Sequence, residues 1–461
     1  MAQTDLPSSE LKGVYAELEE EKKEFAVPAS PRSRVATAVR ALRHRNFQLF
    51  FAGQLISLVG TWMQTVAQSW LVYRMTGSTL LLGTVGFASQ IPVFLVAPIG
   101  GIVADRLNRH RVVIATQVSS MVLAFILAFL TLTNRIQVWE IIVLASGLGV
   151  VNAFDIPARQ AFLIDMVGRE DLMNAIALNS SMFNGARILG PAVAGILVAW
   201  VGEGWCFFVN AVSYIAVIVG LLLMKIEHPA KLISREGSPL ENILEGFRFV
   251  RDAKPIRVIL LLLGLVSLVG MPYSVLMPVF AHQILHGGAR ELGILMGATG
   301  VGALLGALSL AARVGVKGLG RVIALCAGGF GVSLILFSFS HVFWLSVILL
   351  VPVGFTMMVQ MASSNTLVQS MSPDQLRGRV IAVYSMMFMG MAPFGAFFAG
   401  AIAHRIGAPW TVAIGGVACI AGAIAFGMHL PNIRGQAREL ILAQAMTGGS
   451  PAEEMTSRGL S

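Results

Sequence analysis

Apolar positions in this chain form long blocks, and short polar segments separate the blocks. From Phe47 to about Met428, apolar stretches of roughly 18 or more residues recur. A helix needs roughly 20 apolar residues to cross a bilayer, so each stretch can form one crossing. The pattern predicts about twelve transmembrane helices, near residues 47–73, 80–103, 112–133, 138–164, 173–200, 206–224, 257–282, 291–312, 321–339, 342–369, 379–404 and 408–428.

The blocks also contain an internal repeat. The stretch "SLVG" at 57–60 and the pair "LG" at 82–83 recur 210 positions later, and a longer set recurs 205 positions later. The longer set pairs Ser180, Met182, Phe183, Gly185, Gly190, Gly195, Gly202 and Trp205 with Ser385, Met387, Phe388, Gly390, Gly395, Gly400, Gly407 and Trp410. The repeat predicts two pseudo-symmetric six-helix halves, residues 47–224 and 257–428.

Composition and charge agree with a membrane protein. Hydrophobic residues make up 56% of the chain, charged residues make up 12%, and the mean hydropathy is +0.76. The net charge of +9 does not indicate a nucleic-acid partner, because the basic residues concentrate in alternate loops and at both ends. The loops between them hold only Arg74, Arg135, Arg290 and Arg405. The positive-inside rule therefore predicts that both termini lie in the cytoplasm. We expect a multi-pass protein of the inner (cytoplasmic) membrane of the cell.

Three polar segments lie outside the predicted helices. Residues 1–46 show no cleavable signal peptide and are expected to form a flexible cytoplasmic tail, and residues 429–461 a second one. Residues 225–256 are expected to be a cytoplasmic linker between the halves. Its stretch "PLENILEGFRFVRDAKPIR" is typical of an amphipathic helix on a membrane surface.

The loop after the second predicted helix places an acid among cations. In "GGIVADRLNRHR" at 100–111, Asp105 follows Gly101 at a fixed spacing and stands beside arginines. An orientation signal alone would need the arginines but not the acid. The stretch resembles the loop signature of the major facilitator superfamily, Gly-x-x-x-Asp-Arg-x-x-Arg, whose fold consists of twelve helices in two halves.

The resemblance runs over residues 44 to 428. The stretches "RHRNFQLFFAGQLISLVGTWMQTVAQSWLVYRMTGS", "NAFDIPARQAFLIDMV" and "NGARILGPAVAG" look like the transmembrane secretion effector branch of that superfamily, which includes the bacterial enterobactin exporter. The resemblance implies efflux and proton antiport. It also implies a conformational latch between the loop and the start of the eleventh helix, made by Gly101, Asp105, Arg106, Arg109, Arg377 and Arg379.

Polar residues within the apolar stretches are candidates for a substrate site. In the first helix Gln54, Thr61, Gln64 and Gln68 recur at intervals of three, four or seven residues, which places them on one face. Lipid does not tolerate such a face, so it is expected to meet a water-filled cavity or other helices. Further cavity candidates are Asn152, Asn184, Arg187 and Tyr384.

Two charged residues lie deep in predicted helices. Arg187 is about 20 Å from its helix end at 1.5 Å per residue, and a charge there costs at least about 2.5–3.5 kcal/mol unless it is paired or hydrated. Asp155 is within reach, so Arg187 either forms a structural ion pair with it or has an anion-binding or proton-linked role. Asp155 is also the proton-coupling candidate, because it is the one carboxylate well inside a predicted helix.

Small residues and methionines form two further groups. Gly185, Gly190, Pro191 and Gly195 are expected to allow close helix contact and to bend the fifth helix. Methionines of the tenth and eleventh helices either pack in the core or form a wall for bulky aromatic ligands. These methionines are Met357, Met358, Met361, Met386, Met387, Met389 and Met391.

The sequence contains no enzyme constellation. It has no phosphate-binding Gly-Lys-Ser loop and no cluster with metal-ligand spacing, so no cofactor or metal is expected. We expect a secondary active transporter that acts as a monomer in the lipid bilayer and exports an amphipathic small molecule, such as a siderophore or drug, in exchange for protons. The alternatives are an importer or uniporter of a metabolite, or a receptor or scaffold on the same fold.

Overall fold

Twelve helices of the computed structural model are long and apolar enough to cross a membrane. The structure describes residues 40–225, 239–313 and 315–446, and these ranges contain no β-strand. We number the spans α1 to α12: Arg45–Thr76, Thr79–Arg106, Arg109–Leu132, Val138–Val167, Leu172–Val201, Glu203–Leu222, Lys254–Ile284, Ala289–Ala311, Leu319–Ser338, Phe343–Met371, Asp374–Ile406 and Ala408–Arg438. The prediction of an all-α membrane protein with twelve transmembrane helices is confirmed.

The predicted ends of the spans differ from the structure most at α12. Its helix continues from Ala408 to Met446, whereas the sequence analysis placed the start of a tail at residue 429. Leu430 and Ile433 are buried, so packing against the core extends the helix beyond the apolar block. The predicted tail at 1–46 is described only from residue 40, where a 3-10 helix spans Arg40–Arg43. Residues 1–39 and 447–461 of the two predicted tails lie outside the described residues.

The two halves show the same helix pairing. In the first half α2 packs on α4, α3 packs on α4 and α6, and α1 packs on α5 and α6. In the second half α8 packs on α10, α9 packs on α10 and α12, and α7 packs on α11 and α12. The matching spans α5 and α11 each end at a glycine of the repeat, Gly202 and Gly407. Their φ values of 85° and 87° are disfavoured for residues that have a side chain, which explains why glycine stands at both positions.

The halves meet through α5 with α8 and through α2 with α11. A Cβ atom at Gly195 would lie 3.1 Å from the Cα atom of Gly293, and one at Gly83 would lie 3.0 Å from the Cα atom of Gly400. Gly83 and Gly293 are related by the offset of 210, and Gly195 and Gly400 by the offset of 205. The two repeats therefore supply the two close contacts that join the halves.

These contacts lie toward one face of the molecule. We call the side on which α1 begins and α2 ends the basic face, and the side on which α1 ends and α2 begins the opposite face. Gly83 and Gly400 are near the ends of α2 and α11 on the opposite face, and the hydroxyl of Thr79 donates to the carbonyl of Gly400 at 3.1 Å. The halves are thus held together near the opposite face.

The predicted packing motif of α5 is correct at two of its glycines. A Cβ atom at Gly190 would lie 3.1 Å from the backbone nitrogen of Met63 in α1, and Gly195 approaches α8. Gly185 has open space where a Cβ atom would stand. The expectation of close contact is therefore wrong at Gly185, because no atom of another helix among the described residues lies within 4 Å of its Cβ position.

Two spans of the second half are irregular. α7 contains π-helical turns at Val266–Gly270 and Phe280–Ile284 with a 3-10 turn at Met271–Ser274. α11 breaks at Gly390, where a Cβ atom would lie 2.5 Å from the ring of Phe94 in α2. Such turns change which side chains face inward.

The predicted linker contains a helix, Pro239–Asp252, which we call the linker helix. It packs against the first part of α11. Glu245 forms an ion pair with Arg379 at 2.5 Å, and Val250 is buried. The linker helix is therefore attached to the start of α11 on the basic face.

Candidate functional site

A cavity of about 1490 Å³ lies between the two halves. We call it the central cavity; α1, α2, α4, α7, α8 and α11 line it. Its charged lining residues, Asp105, Arg106, Asp374 and Arg379, come from the ends of α2 and α11 on the basic face. These four residues form the mouth of the cavity, which opens to the basic face.

Aromatic contacts between the halves close the other end. The ring of His282 in α7 lies 5.8 Å from that of Trp70 and 6.1 Å from that of Tyr73, both near the end of α1. The rings of Phe87 in α2 and Phe394 in α11 lie 5.9 Å apart. Together with the glycine contacts, they separate the central cavity from the opposite face.

The first half contributes amide side chains to the cavity lining. We call these the amide wall; they are Gln64, Gln68, Gln90 and Asn152. Gln64 is tied to α6, because its oxygen accepts a hydrogen bond from Asn210 at 2.6 Å. Neither Gln68 nor Asn152 has a hydrogen-bond partner in the part of the chain that the structure describes. Their amide groups are thus free to bind water or a ligand.

Beside one amide, Gln375 near the mouth, the second half contributes methionines. We call these the methionine wall; they are Met271, Met296, Met386 and Met389. Met386 and Met389 were predicted from the sequence, whereas Met271 and Met296 were not, because they belong to no cluster of methionines along the chain. Met387 packs toward Gly264 of α7, and the tenth-helix methionines are absent from the described lining.

The predicted cavity residues divide into two groups. Thr61, Gln64, Gln68 and Asn152 line the central cavity. The remaining four bond elsewhere or are buried away from the described lining. Gln54 is 3% exposed. The Tyr384 hydroxyl donates to the Met361 carbonyl at 2.9 Å, the Asn184 amide donates to the Ser180 carbonyl at 2.8 Å, and Arg187 donates to Asn184 at 3.1 Å.

Asp155 has its partners within its own helix and in the neighbouring helix α3. Its carboxylate pairs with Arg159, one turn further along α4, at 3.2 Å. It also accepts hydrogen bonds from Thr116 at 2.8 Å and Gln117 at 2.9 Å, both in α3. An ion pair between Arg187 and Asp155 is therefore wrong for this structure, since Arg159 and α3 satisfy the carboxylate.

The predicted latch residues stand around the mouth without contacting one another across it. Asp105 is exposed and forms no ion pair within the described ranges. Arg377 pairs with Asp374 at 2.5 Å, and Arg379 pairs with the linker helix. In this conformation the two sides of the mouth are apart.

The other members of the predicted latch face their own half or open space. Arg109 pairs with Asp165 at the end of α4, at 3.3 Å, and donates to the Ala161 carbonyl at 3.3 Å. Gly101 has open space at its Cβ position, and Arg106 is exposed. Arg109 thus stabilises packing within the first half and does not take part in the contact between the halves.

A polar cluster that the sequence did not predict lies on the basic face. Asp171, before α5, pairs with His44 at 2.8 Å and with Arg40, and the Ala41 amide donates to Asn174 at 2.8 Å. Hydrogen bonds from His44 and Arg40 lower the pKa of Asp171 from its ordinary value. The cluster fastens the segment before α1 to the start of α5, a contact between residues too far apart for a local pattern to reveal.

Two similar six-helix halves around a cavity that opens to one face form the architecture of alternating-access membrane transporters. The family of this chain is shown by sequence: the model of the transmembrane secretion effector family matches residues 36–455. The chain therefore belongs to this family of major facilitator superfamily transporters and is not an enzyme.

Several characterised relatives align over most of their length. The chain is 26% identical to the staphyloferrin A transporter of Staphylococcus aureus, with 80% of this chain and 93% of the relative covered. It is 24% identical to the enterobactin exporter EntS of Citrobacter koseri, with 88% and 96% covered. It is 27% identical to the multidrug efflux pump Tap of Mycolicibacterium fortuitum, with 78% and 89% covered.

Solved structures share the fold. The nucleoside transporter NupG superposes with a TM-score of 0.65 at 15% identity, covering 83% of this chain and 98% of that chain. An inward-facing bacterial homologue of the iron transporter ferroportin superposes with a TM-score of 0.64 at 17% identity, covering 83% and 98%. Both likenesses confirm the major facilitator fold.

Proposed function

We propose that this protein exports an amphipathic small molecule, of siderophore or drug type, across the bacterial cytoplasmic membrane. The observation that carries the proposal is the central cavity, which has uncharged amides on one side, methionines on the other and a mouth on the basic face. Such a lining suits ligands that combine hydrogen-bonding and apolar surfaces. The names of EntS and Tap, an exporter and an efflux pump, support the outward direction.

The positive-inside rule supports placing the basic face in the cytoplasm. With that orientation, the observed conformation would accept a substrate from the cell interior. Export then requires the mouth to close and the contacts near the opposite face to open, as in alternating access. We propose that Asp105 pairs with Arg377 or Arg379 when the mouth closes, and that Glu245 holds Arg379 while it is open.

Proton coupling is proposed to involve Asp155. It is a buried carboxylate between α3 and α4, where one cation and two neutral donors contact it. Protonation would break its pair with Arg159 and loosen α3 from α4. Because Asp155 is outside the described lining of the central cavity, the coupling would pass through helix packing rather than direct contact with substrate.

Transport in inverted membrane vesicles tests this proposal. We expect vesicles that contain the protein to accumulate chloramphenicol or a catecholate siderophore when the interior is acidified, and vesicles without it not to do so. Asp155→Asn is expected to abolish accumulation driven by the pH gradient while downhill exchange continues. Efflux from the vesicles instead of accumulation would indicate an importer, and unchanged gradient-driven accumulation in Asp155→Asn would exclude Asp155 as the coupling residue.

A further inference from the structure

The two walls of the central cavity belong to different halves. All four residues of the amide wall come from α1, α2 and α4, and all four residues of the methionine wall come from α7, α8 and α11. The first half also contributes the hydroxyl groups of Thr61, Thr65, Ser69 and Ser89, whereas the second half contributes those of Ser274 and Ser385 and, near the mouth, the amide of Gln375. The first half therefore carries most of the uncharged hydrogen-bonding side chains of the lining, and the second half carries all of its methionines.

The amide wall contains hydrogen-bonding groups that the protein leaves unused. Gln68 in α1 and Asn152 in α4 are half-buried and have no partner among the described residues. A polar group within a membrane span is costly unless something satisfies it. Water can do so in the open cavity, and a ligand that displaces this water must offer equivalent hydrogen bonds.

The methionine wall offers the opposite chemistry. Its side chains are flexible and polarizable, and thioether sulfur makes favourable contacts with aromatic rings. Charged residues of the described lining occur only at the mouth, so nothing deeper in the cavity compensates an ionic ligand. A charge carried past the mouth would lose hydration without gaining a partner.

We propose that the cavity binds its substrate in one orientation. Amide or hydroxyl groups of the substrate contact Gln68 and Asn152 in the first half, an aromatic or other apolar face contacts the methionine wall, and the enclosed part carries no net charge. This inference rests on the proposed function, because it takes the central cavity as the substrate site. The substrate class is therefore an uncharged amphiphile with its polar groups on one side.

A matched pair of probes tests the charge preference. Chloramphenicol has an amide, two hydroxyls and an aromatic ring without net charge, whereas its succinate ester adds a carboxylate. Equilibrium binding of both radiolabelled compounds is measured on the full-length protein in lipid nanodiscs. We expect the ester to bind at least about tenfold more weakly, because burying an unpaired charge costs more than 1.4 kcal/mol. Equal or tighter binding of the ester, or no binding of either compound, would overturn the proposal.

Two variants test the orientation. Gln68→Leu should weaken chloramphenicol binding roughly five- to tenfold, the value of one hydrogen bond, and should scarcely affect an analogue whose amide nitrogen is methylated. Met386→Ala should weaken chloramphenicol binding by a similar factor. It should weaken the binding of an analogue with a cyclohexyl ring in place of the aryl ring by a smaller factor. Gln360→Leu and Met387→Ala are matched controls outside the described lining and should change neither affinity.

The pattern of losses separates the inference from the proposed function. If both variants weaken every analogue equally, the ligand has no fixed orientation and the inference is wrong, even where vesicle transport is observed. The other outcome is that Gln68→Leu affects only ligands with the free amide and Met386→Ala mainly those with the aryl ring, while no compound is transported. In that case the orientation is supported and the export function is wrong. Thermal unfolding of each variant confirms that it is folded before binding is compared.

Discussion

At the residue scale, the polar side chains within the spans serve two different purposes. Gln64 and Asp155 accept hydrogen bonds from side chains of neighbouring helices. Gln68 and Asn152 instead face the central cavity, where water or a ligand can bind them. The same residue types therefore act as packing groups or as ligand groups. Which of the two applies depends on whether another helix supplies a partner.

Arg187 and Asp155 are expected to behave as independent sites, because Arg187 donates to Asn184 and Asp155 pairs with Arg159. Replacing either by Ala should lower thermal stability, and the two losses should add within about 0.5 kcal/mol, as they do for separated residues. Thermal unfolding of both single variants and the double variant measures this. Recovery of stability in the double variant would show that the two residues pair after all.

Asp171 should give a pH-dependent contribution to stability. Its pKa is lowered in the folded protein, so its contribution is present above the unfolded value near ~3.9 and is lost as the pH falls through the folded value. Asp171→Asn should therefore melt below wild type at pH 7, and the gap should narrow below about pH 4. Unfolding scans in detergent between these pH values measure it, and a constant gap would contradict the assignment.

At the element scale, the start of α11 is the contact point for both the linker helix and the mouth of the cavity. Arg379 pairs with Glu245 while Asp105, across the mouth, is unpaired within the described ranges. The linker helix and the α2 end therefore offer two carboxylates for one guanidinium. We expect Asp105 to stabilise the closed mouth and Glu245 to stabilise the open mouth.

Asp105→Asn and Glu245→Gln test this opposition. Without Asp105 the closed mouth loses an ion pair, so transport should fall roughly tenfold if the pair contributes about 1.4 kcal/mol. Without Glu245 the open mouth is destabilised instead. Access to the cavity is measured by the rate at which a water-soluble maleimide labels the Ser385→Cys variant. Adding Asp105→Asn to this variant should leave the labelling rate unchanged or raise it. Adding Glu245→Gln should lower the labelling rate. Wild-type transport by Asp105→Asn at equal abundance would refute the latch.

At the scale of the whole molecule, the two repeats supply the contacts that join the halves. Gly83 meets Gly400 and Gly195 meets Gly293 near the opposite face, at separations that leave no room for a side chain. The repeated glycines of the two halves thus form the contacts that close the cavity near the opposite face.

Gly400→Val is expected to prevent closure near the opposite face, since a Cβ atom there would lie 2.5 Å from the Thr79 carbonyl. Transport should fall at least about tenfold, because filling a close-packed contact costs roughly 1–3 kcal/mol. Gly427→Val is the matched control, since nothing lies within 4 Å of its Cβ position. Vesicle transport compares the two at equal abundance, and full activity of Gly400→Val would show that this contact does not close the cavity.

The sequence by itself determined the number of spans, the repeat, the basic face and the family. These properties depend on hydropathy, spacing and charge along the chain, and tertiary contacts alter them only at helix ends such as residues 429–446. Only the tertiary structure decided that Asp155 bonds to Arg159 and not to Arg187, that Gln54 is buried while Gln68 faces the cavity, and that Met271 completes the methionine wall. Those outcomes depend on how each helix is rotated against its neighbours, and on irregular turns such as those of α7. Packing across the whole bundle sets both, and no local pattern records them.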